Sequence, residues 1–250
     1  MIGKRSFSLR LSLNILLVVS ILFVAAITIV AITSHKLITE EAKRSAQNML
    51  DASICDIEKK LLPTESKTQS VAWYVSHQKC DTAVLRFLTT AVVKDLDIIG
   101  SCVAYAPYAY DSTRYYFMYY TSDVNKELKS RLLGDDSYNY FSMDWFRVPY
   151  ETKKPYWSNP YFDEGGGDCL MATYSYPLIG KDKKVYAVVT ADITLEWIAD
   201  KVRSIKPYEN SHMNVVSANG SYLDQYPDSD LRDETIFSTA ERTGDKQIMK

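Results

Sequence analysis

From Leu11 to Thr33 the sequence carries no charged residue and is dominated by Leu, Ile, Val, Phe and Ala. A run of that length predicts a helix able to cross a hydrocarbon core of about 30 Å. Lys4, Arg5 and Arg10 precede it with no acid among them. Such cations hold residues 1–10 in the cytoplasm and send the rest outward. The competing reading is a cleaved signal peptide, but that would have a shorter apolar region, and no clean Ala-x-Ala site precedes His35. In both readings residue 35 onward is extracytoplasmic.

Charge then returns together with a helical period. Ala46, Leu50, Ile54, Ile57 and Leu61 recur three and four residues apart and share one face of a helix over 34–62. Pro63 is expected to end that helix, since it cannot donate a backbone hydrogen bond. A second helix is predicted over Ser66 to His77, around Val71, Trp73, Tyr74 and Val75. A third begins at the N-cap Asp81, with Val84, Leu85, Leu88 and Val92 on one side.

After Asp97 the pattern shifts to strands. Ile98–Tyr105 and Arg114–Thr121 are rich in Ile, Val, Tyr and Phe and are separated by Pro107 and Asp111, which predicts two antiparallel strands. Asn125–Leu133 reads as a short helix stopped at Gly134. Asp144–Tyr150 reads as a short helix or turn. Tyr156-Trp157 enters a strand, Asn159-Pro160 breaks it, and Tyr161-Phe162 follow. Gly165, Gly166 and Gly167 form a loop before strands Leu170–Leu178 and Val185–Ile193, and a helix covers Glu196–Ile205. Helices followed by a closing antiparallel meander predict an α+β fold.

Composition narrows the function classes. A net charge of -2 and a pI near 6.0 give no basic face for nucleic acid. The 19 Tyr suit strands and half-wet pockets alike. The glycine triplet has no following Lys-Ser or Lys-Thr and is no phosphate-binding loop. His35, His77 and His212 lack metal-ligand spacing, no Gly-x-Ser-x-Gly turn occurs, and no cofactor is implied. Asp163, Glu164 and Asp168 around the glycines read as a solvated loop more readily than as a Ca²⁺ site. Cys55, Cys80, Cys102 and Cys169 lie where disulfides are permitted; three full pairings, or free thiols, remain open.

The stretch from Trp145 to Trp197 resembles a Cache domain, the extracytoplasmic PAS-like sensor of bacterial receptors. The resemblance rests on Trp145, on Trp157-Ser158-Asn159-Pro160-Tyr161-Phe162-Asp163, on Thr173-Tyr174-Ser175-Tyr176-Pro177-Leu178 and on Val188-Val189-Thr190-Ala191-Asp192-Ile193-Thr194-Leu195. A long helix after a membrane span is similar to the double-Cache arrangement. It implies a membrane-distal sensor domain over 34–195 and a connecting helix with an incomplete membrane-proximal module over 196–250. That module would open with a hairpin over His212–Tyr226, turning at Asn219-Gly220. The chain reaches Met249-Lys250 partway into it and reads as part of a longer receptor. The Gly-rich wording is also similar to ectodomains attached to PPM-type serine phosphatases; others precede histidine kinases, cyclases or chemotaxis signalling domains.

In amino-acid-sensing members of that family, an Arg two residues before the motif Trp clamps the ligand carboxylate, and an Asp at the end of the last strand holds the ammonium. The resemblance puts Trp145 and Asp192 in the motif positions, but Met143 stands where the Arg would be and cannot make a charge-assisted contact. Arg147 lies on the wrong side of the Trp. Trp145, Tyr161 and Asp192, with Met143 and Tyr174, are the candidate pocket residues: aromatic walls, hydroxyls and a carboxylate suited to a cationic or polyhydroxy small molecule. Core packing of Trp145 and helix capping by Asp192 are the structural alternatives. The expected protein is a homodimeric plasma-membrane sensor, without enzymatic activity in this segment. A membrane-anchored structural or protein-binding ectodomain is the other reading.

Overall fold

The computed structural model describes residues 7–94, 98–124, 127–164, 169–206, 208, 213–217, 219–222 and 235–244. The chain divides into two compact units, 1–52 and 53–250. In the first, every described residue is helical and the apolar side chains of Leu11 to Ile32 are exposed. Among the described residues this is the one helix long and apolar enough to cross a membrane.

Helix α1, Phe7–His77, contains Pro63 in its interior. The expected stop at Pro63 and the separate second helix are therefore corrected: both belong to one helix. The reason lies in packing. Within the second unit Ser53, Thr64, Thr68, Val71, Ala72 and Val75 are buried, at spacings of three, four and their sums, on both sides of the proline. One missing hydrogen bond costs less than the core contacts of the turns beyond it. Buried Thr68 satisfies its hydroxyl on the Thr64 carbonyl (2.8 Å). The expected apolar stripe holds only in part: Leu61 packs on the core, whereas Leu50 and Ile54 are exposed.

Helix α2, Thr82–Val93, starts as expected at Asp81, whose side chain accepts from Val84 N at 2.9 Å. The strands are β1 Ile98–Tyr105, β2 Phe117–Val124, β3 Glu127–Leu133, β4 Tyr156–Trp157, β5 Tyr161–Phe162, β6 Leu170–Ile179 and β7 Val185–Thr194. They form one antiparallel sheet in the order β3-β2-β1-β7-β6-β4, with β5 also on β6. A 3₁₀ turn, Tyr140–Ser142, leads into α3, Asp144–Thr152; α4, Glu196–Arg203, follows β7, and α5 is Ile236–Thr243. The long N-terminal helix leading into an antiparallel, PAS-like sheet is the α+β arrangement expected.

Glu127–Leu133 overturns the helix expected there. It pairs along its whole length with β2, from Val124↔Glu127 to Met118↔Leu133. Without it β2 would be an open edge. Glu127, Lys129 and Arg131 instead put charge on the final edge, which discourages further pairing. Its Ser130 hydroxyl extends a buried chain to Thr121 (2.9 Å) and on to Thr89 of α2 (2.7 Å). Local helical period loses to this long-range pairing.

The two-residue period of the strands sorts the sheet into two faces. Val103, Tyr105, Phe117, Tyr119, Val189, Ala191 and Ile193 join α1 and α2 in one core. Cys102, Ala104, Met118, Tyr120 and Val188 join Tyr140, Trp145 and Phe146 in the other. Of the expected second module, the described residues include an antiparallel bridge Val216↔Tyr222 around Gly220, which has φ +84°, consistent with a hairpin turn. His212 and residues 223–226 of that hairpin, like Gly165, Gly166, Gly167 and Asp168, lie outside the described residues.

If packing carries α1 through Pro63, then Pro63→Ala should stabilise the protein by about 1–3 kcal/mol by restoring the i to i−4 bond. Guanidinium unfolding of the detergent-solubilised chain would read this. A loss of stability would mean that the proline-adapted backbone is itself part of the packing.

Candidate functional site

The second face closes over a small cavity. Tyr140, fully buried, anchors its roof: its hydroxyl donates to Tyr105 O (2.7 Å) and accepts from Phe117 N (3.1 Å), tying the 3₁₀ turn across β1 and β2. Trp145, on the first turn of α3, stacks near Tyr140 with centroids 6.2 Å apart and is 4% exposed. It both packs in the core and lines the cavity. The walls are Cys102, Met118, Tyr120, Tyr138, Tyr161, Asp163, Thr190 and Asp192. The space holds about one water, roughly 10 Å³. None of the described lining residues is basic.

Asp192 owes its position to the β1–β7 register. A bulge between Ile98 and Gly100 sets Gly100 opposite Asp192. A Cβ on Gly100 would collide with Asp192 Oδ2 and with the Tyr120 hydroxyl. The missing side chain is what lets the carboxyl lie over the strand. Asp192 Oδ1 accepts from the Thr173 hydroxyl at 2.8 Å; Thr173 Oγ1 in turn lies 2.8 Å from the Tyr161 hydroxyl. With its own proton committed to Asp192, Thr173 accepts from Tyr161, which gives a relay Tyr161→Thr173→Asp192. The expectation that Asp192 could cap the next helix is corrected: α4 has Leu195 as N-cap, with no side-chain cap bond.

A second carboxyl shares the cavity. Asp163, expected in a solvated loop, is 4% exposed and accepts from the Tyr138 hydroxyl at 2.9 Å. Burial, and then the charge of Asp163, push the Asp192 carboxyl up to about 7; bonds from Thr173 and Tyr120 oppose the rise. The Tyr120 hydroxyl lies beside Asp192, in the space that Gly100 leaves free, and is shut off from solvent. Burial drives Tyr120, Tyr138, Tyr161 and the Cys102 thiol toward their neutral forms. The site therefore offers neutral hydroxyl donors around two carboxyls.

The structure brings Trp145, Tyr161 and Asp192 together. Met143 does not line the cavity; half-buried, it packs beside the aromatic cluster as N-cap of α3. Tyr174 lies on the opposite face, where its hydroxyl accepts from Gln69 Nε2 of α1 (2.9 Å) and its ring meets Trp157 (5.2 Å). Trp157 in turn donates to Glu65 on α1 (2.7 Å), while the neighbouring Ser158 hydroxyl accepts from Thr173 N (2.9 Å). Arg147 is exposed and paired with Asp144 at 2.6 Å. Sequence reasoning missed Asp163, Tyr120 and Tyr138. Tyr120 was accessible through its phase on β2; the other two are on loops with no period to read. Cys55, Cys80 and Cys102 are free thiols. Among the described residues no group of three His, Cys, Asp or Glu could hold a metal.

Residues 84–200 match the family model of the first PDC sensor domain of methyl-accepting chemotaxis protein-like proteins. Similar solved structures include methyl-accepting chemotaxis protein X, at 20% identity over 84% of each chain, with a TM-score of 0.63. Another is the ligand-binding domain of Pseudomonas fluorescens chemoreceptor CtaA in complex with L-isoleucine, at 16% identity over 84% of this chain and 79% of that one, with a TM-score of 0.59. A third is the ligand-binding domain of the Pseudomonas aeruginosa PAO1 amino acid chemoreceptor PctC with GABA, at 14% identity over 77% and 79%, with a TM-score of 0.53. No curated protein matches the chain.

Two outcomes follow from this geometry. Because the Asp192 carboxyl titrates at about 7 when folded against 3.8 otherwise, the folded state holds the extra proton. The stability this contributes is complete below pH 4 and is lost as pH rises through 7. Asp192→Asn should therefore gain on the parent as pH climbs through that range, by at most about 4 kcal/mol, in pH-dependent guanidinium unfolding. Gly100→Ala should cost about 1–3 kcal/mol in the same assay, by forcing Asp192 or Tyr120 to move.

Proposed function

We propose that the chain, whose residues 84–200 match the family model of the first PDC sensor domain of methyl-accepting chemotaxis protein-like proteins, is the sensory region of a bacterial transmembrane receptor. It binds a small cationic molecule between the sheet and α3, with Asp192 and Asp163 taking the positive charge and Trp145, Tyr120 and Tyr161 walling its body. The observation that carries the reading is the pair of buried carboxyls in an aromatic-lined cavity whose described lining has no basic residue. An organic ammonium pairs with a buried carboxyl and meets aromatic faces favourably. L-isoleucine and GABA, bound by the proteins named above, both carry an ammonium. Met143 offers no partner for a ligand carboxylate, so amines without one fit this site better than amino acids.

The signal route begins at Asp192. Strand β7 runs straight into α4, whose Lys201 pairs with Asp56 of α1 at 2.7 Å and whose Trp197 ring lies under Lys60 at 4.6 Å. Ligand entry needs more room than about one water, so α3 and the end of β7 move apart, and α4 passes the shift to α1. In this reading residues 11–33 span the plasma membrane and residues from 34 onward are extracytoplasmic. The functional receptor is a homodimer, and residues 196–250 begin a second module ahead of an output domain of phosphatase, kinase, cyclase or chemotaxis type. The alternative, an anchored structural or protein-binding ectodomain, draws its support from the small cavity volume.

A thermal-shift screen with amines, amino acids, organic acids and sugars tests the proposal. A specific amine at a hundredfold excess over its Kd should add about 2.7 kcal/mol, or on the order of 5–10 °C in Tm. Trp145→Ala and Asp192→Ala should abolish the shift while leaving the protein folded. A well-folded parent with no hit would favour the alternative.

A further inference from the structure

We propose that α1 is hinged at Pro63, and that Trp157 and Tyr174 hold one half of it to the sheet while α4 moves the other. This deepens the reading of the cavity as a sensory site and rests on it for what the movement signals. The hinge itself needs no particular ligand.

Two pairs of anchors grip α1, and the members of each pair are four residues apart, on one face of the helix. Before the proline, Asp56 pairs with Lys201 of α4 at 2.7 Å, and Lys60 lies over the Trp197 ring at 4.6 Å. After it, Glu65 accepts from the Trp157 indole at 2.7 Å, and Gln69 donates to the Tyr174 hydroxyl at 2.9 Å. Pro63 stands between the two pairs and cannot donate to the Lys59 carbonyl. The helix is weakest where its two sets of anchors meet.

The two halves are held unequally. Beyond the proline Thr64, Thr68, Val71, Ala72 and Val75 are buried, and so is Tyr174. Before it Ile54, Lys59 and Leu62 are exposed, and Asp56–Lys201 is an ion pair open to solvent, a contact that holds weakly. The C-terminal half therefore stays with the sheet, and the N-terminal half follows α4.

Both grips lead back to the cavity. Thr173, bonded to Asp192, accepts from Ser158 N through its carbonyl and donates its own N–H to the Ser158 hydroxyl, both at 2.9 Å. The next residues along, Tyr174 and Trp157, face each other across the β4–β6 ladder and turn to α1. Asp192 leads the other way, along β7 into α4. A shift at the end of β7 thus reaches the N-terminal half of α1 without passing through Trp157 or Tyr174, and α1 bends at Pro63.

Hydrogen exchange of the full chain in detergent micelles, read by mass spectrometry of proteolytic fragments, tests this. Gly100→Ala is the trigger, because it forces Asp192 or Tyr120 to move with no ligand present. Exchange over residues 57–70 should rise by about threefold or more relative to α2, centred on the proline. Pro63→Ala should remove that local rise. With Trp157→Phe and Gln69→Met added, the rise should no longer centre on the proline but extend toward His77. Should Gly100→Ala fail to fold, Thr173→Val serves as the trigger, since it keeps the side chain's shape and removes the hydroxyl bonded to Asp192. An equal rise in α1 and α2 would mean general loss of stability and overturn the hinge. A rise still centred on Pro63 after Trp157→Phe and Gln69→Met would overturn the role of those contacts. An amine hit in the thermal screen, with no local change in α1 from either trigger, would overturn the hinge and leave the amine reading standing. A local rise with no amine hit would support the hinge and sink the amine reading.

Discussion

A carboxyl group shut inside a sheet is the constraint on which this site depends. Asp192 sits on β7, one of the two central strands, and its side chain points into the face covered by α3. Burying an unbalanced charge there would cost several kcal/mol, more than a small domain has to spare. The surroundings answer in three ways: a hydroxyl relay from Tyr161 through Thr173, a backbone left bare at Gly100, and a carboxyl pushed up to about 7. Each is a response to the same burial.

The two faces of the sheet divide the work. One face packs on α1 and α2 and is almost wholly apolar, with the Thr89–Thr121–Ser130 hydroxyl chain as its buried polar thread. It provides the rigidity. The other face carries Asp192, Thr190, Cys102 and Tyr120 under a lid of aromatic rings centred on Tyr140. Since β1 and β7 contribute to both faces, a change under the lid moves strands that are themselves packed on α1. Coupling between site and helix follows from the two-residue period, without a dedicated linker.

Resemblance to a sensor family sets an expectation about ligand chemistry that this chain meets only in part. Asp192 occupies the position expected of an ammonium-binding acid, but Met143 replaces the guanidinium that would face a ligand carboxylate. Asp163 adds a second acid to the lining of the same cavity.

The sequence by itself determined the apolar N-terminal segment, the strands β1, β6 and β7 and the cap at Asp81, and its family wording brought together Trp145, Tyr161 and Asp192, which line one cavity. These are readable because period, capping chemistry and apolar run length are local quantities, and the family wording of Trp157 to Asp163 is contiguous. Tertiary structure decided the rest. Pro63 reads locally as a stop, yet the buried positions Thr64, Thr68 and Val71 carry the helix past it. Glu127–Leu133 reads as a helix, but the open edge of β2 recruits it as a strand. Tyr174 falls on the other face from Asp192, because odd and even strand positions are separated only once the register of β6 against β7 is known: Thr173, not Tyr174, pairs with Asp192. Asp163 sits beside a glycine run and reads as solvated; only the fold turns it inward to face a second acid. Partnerships across long sequence separations are settled by burial and pairing, and no local pattern encodes them.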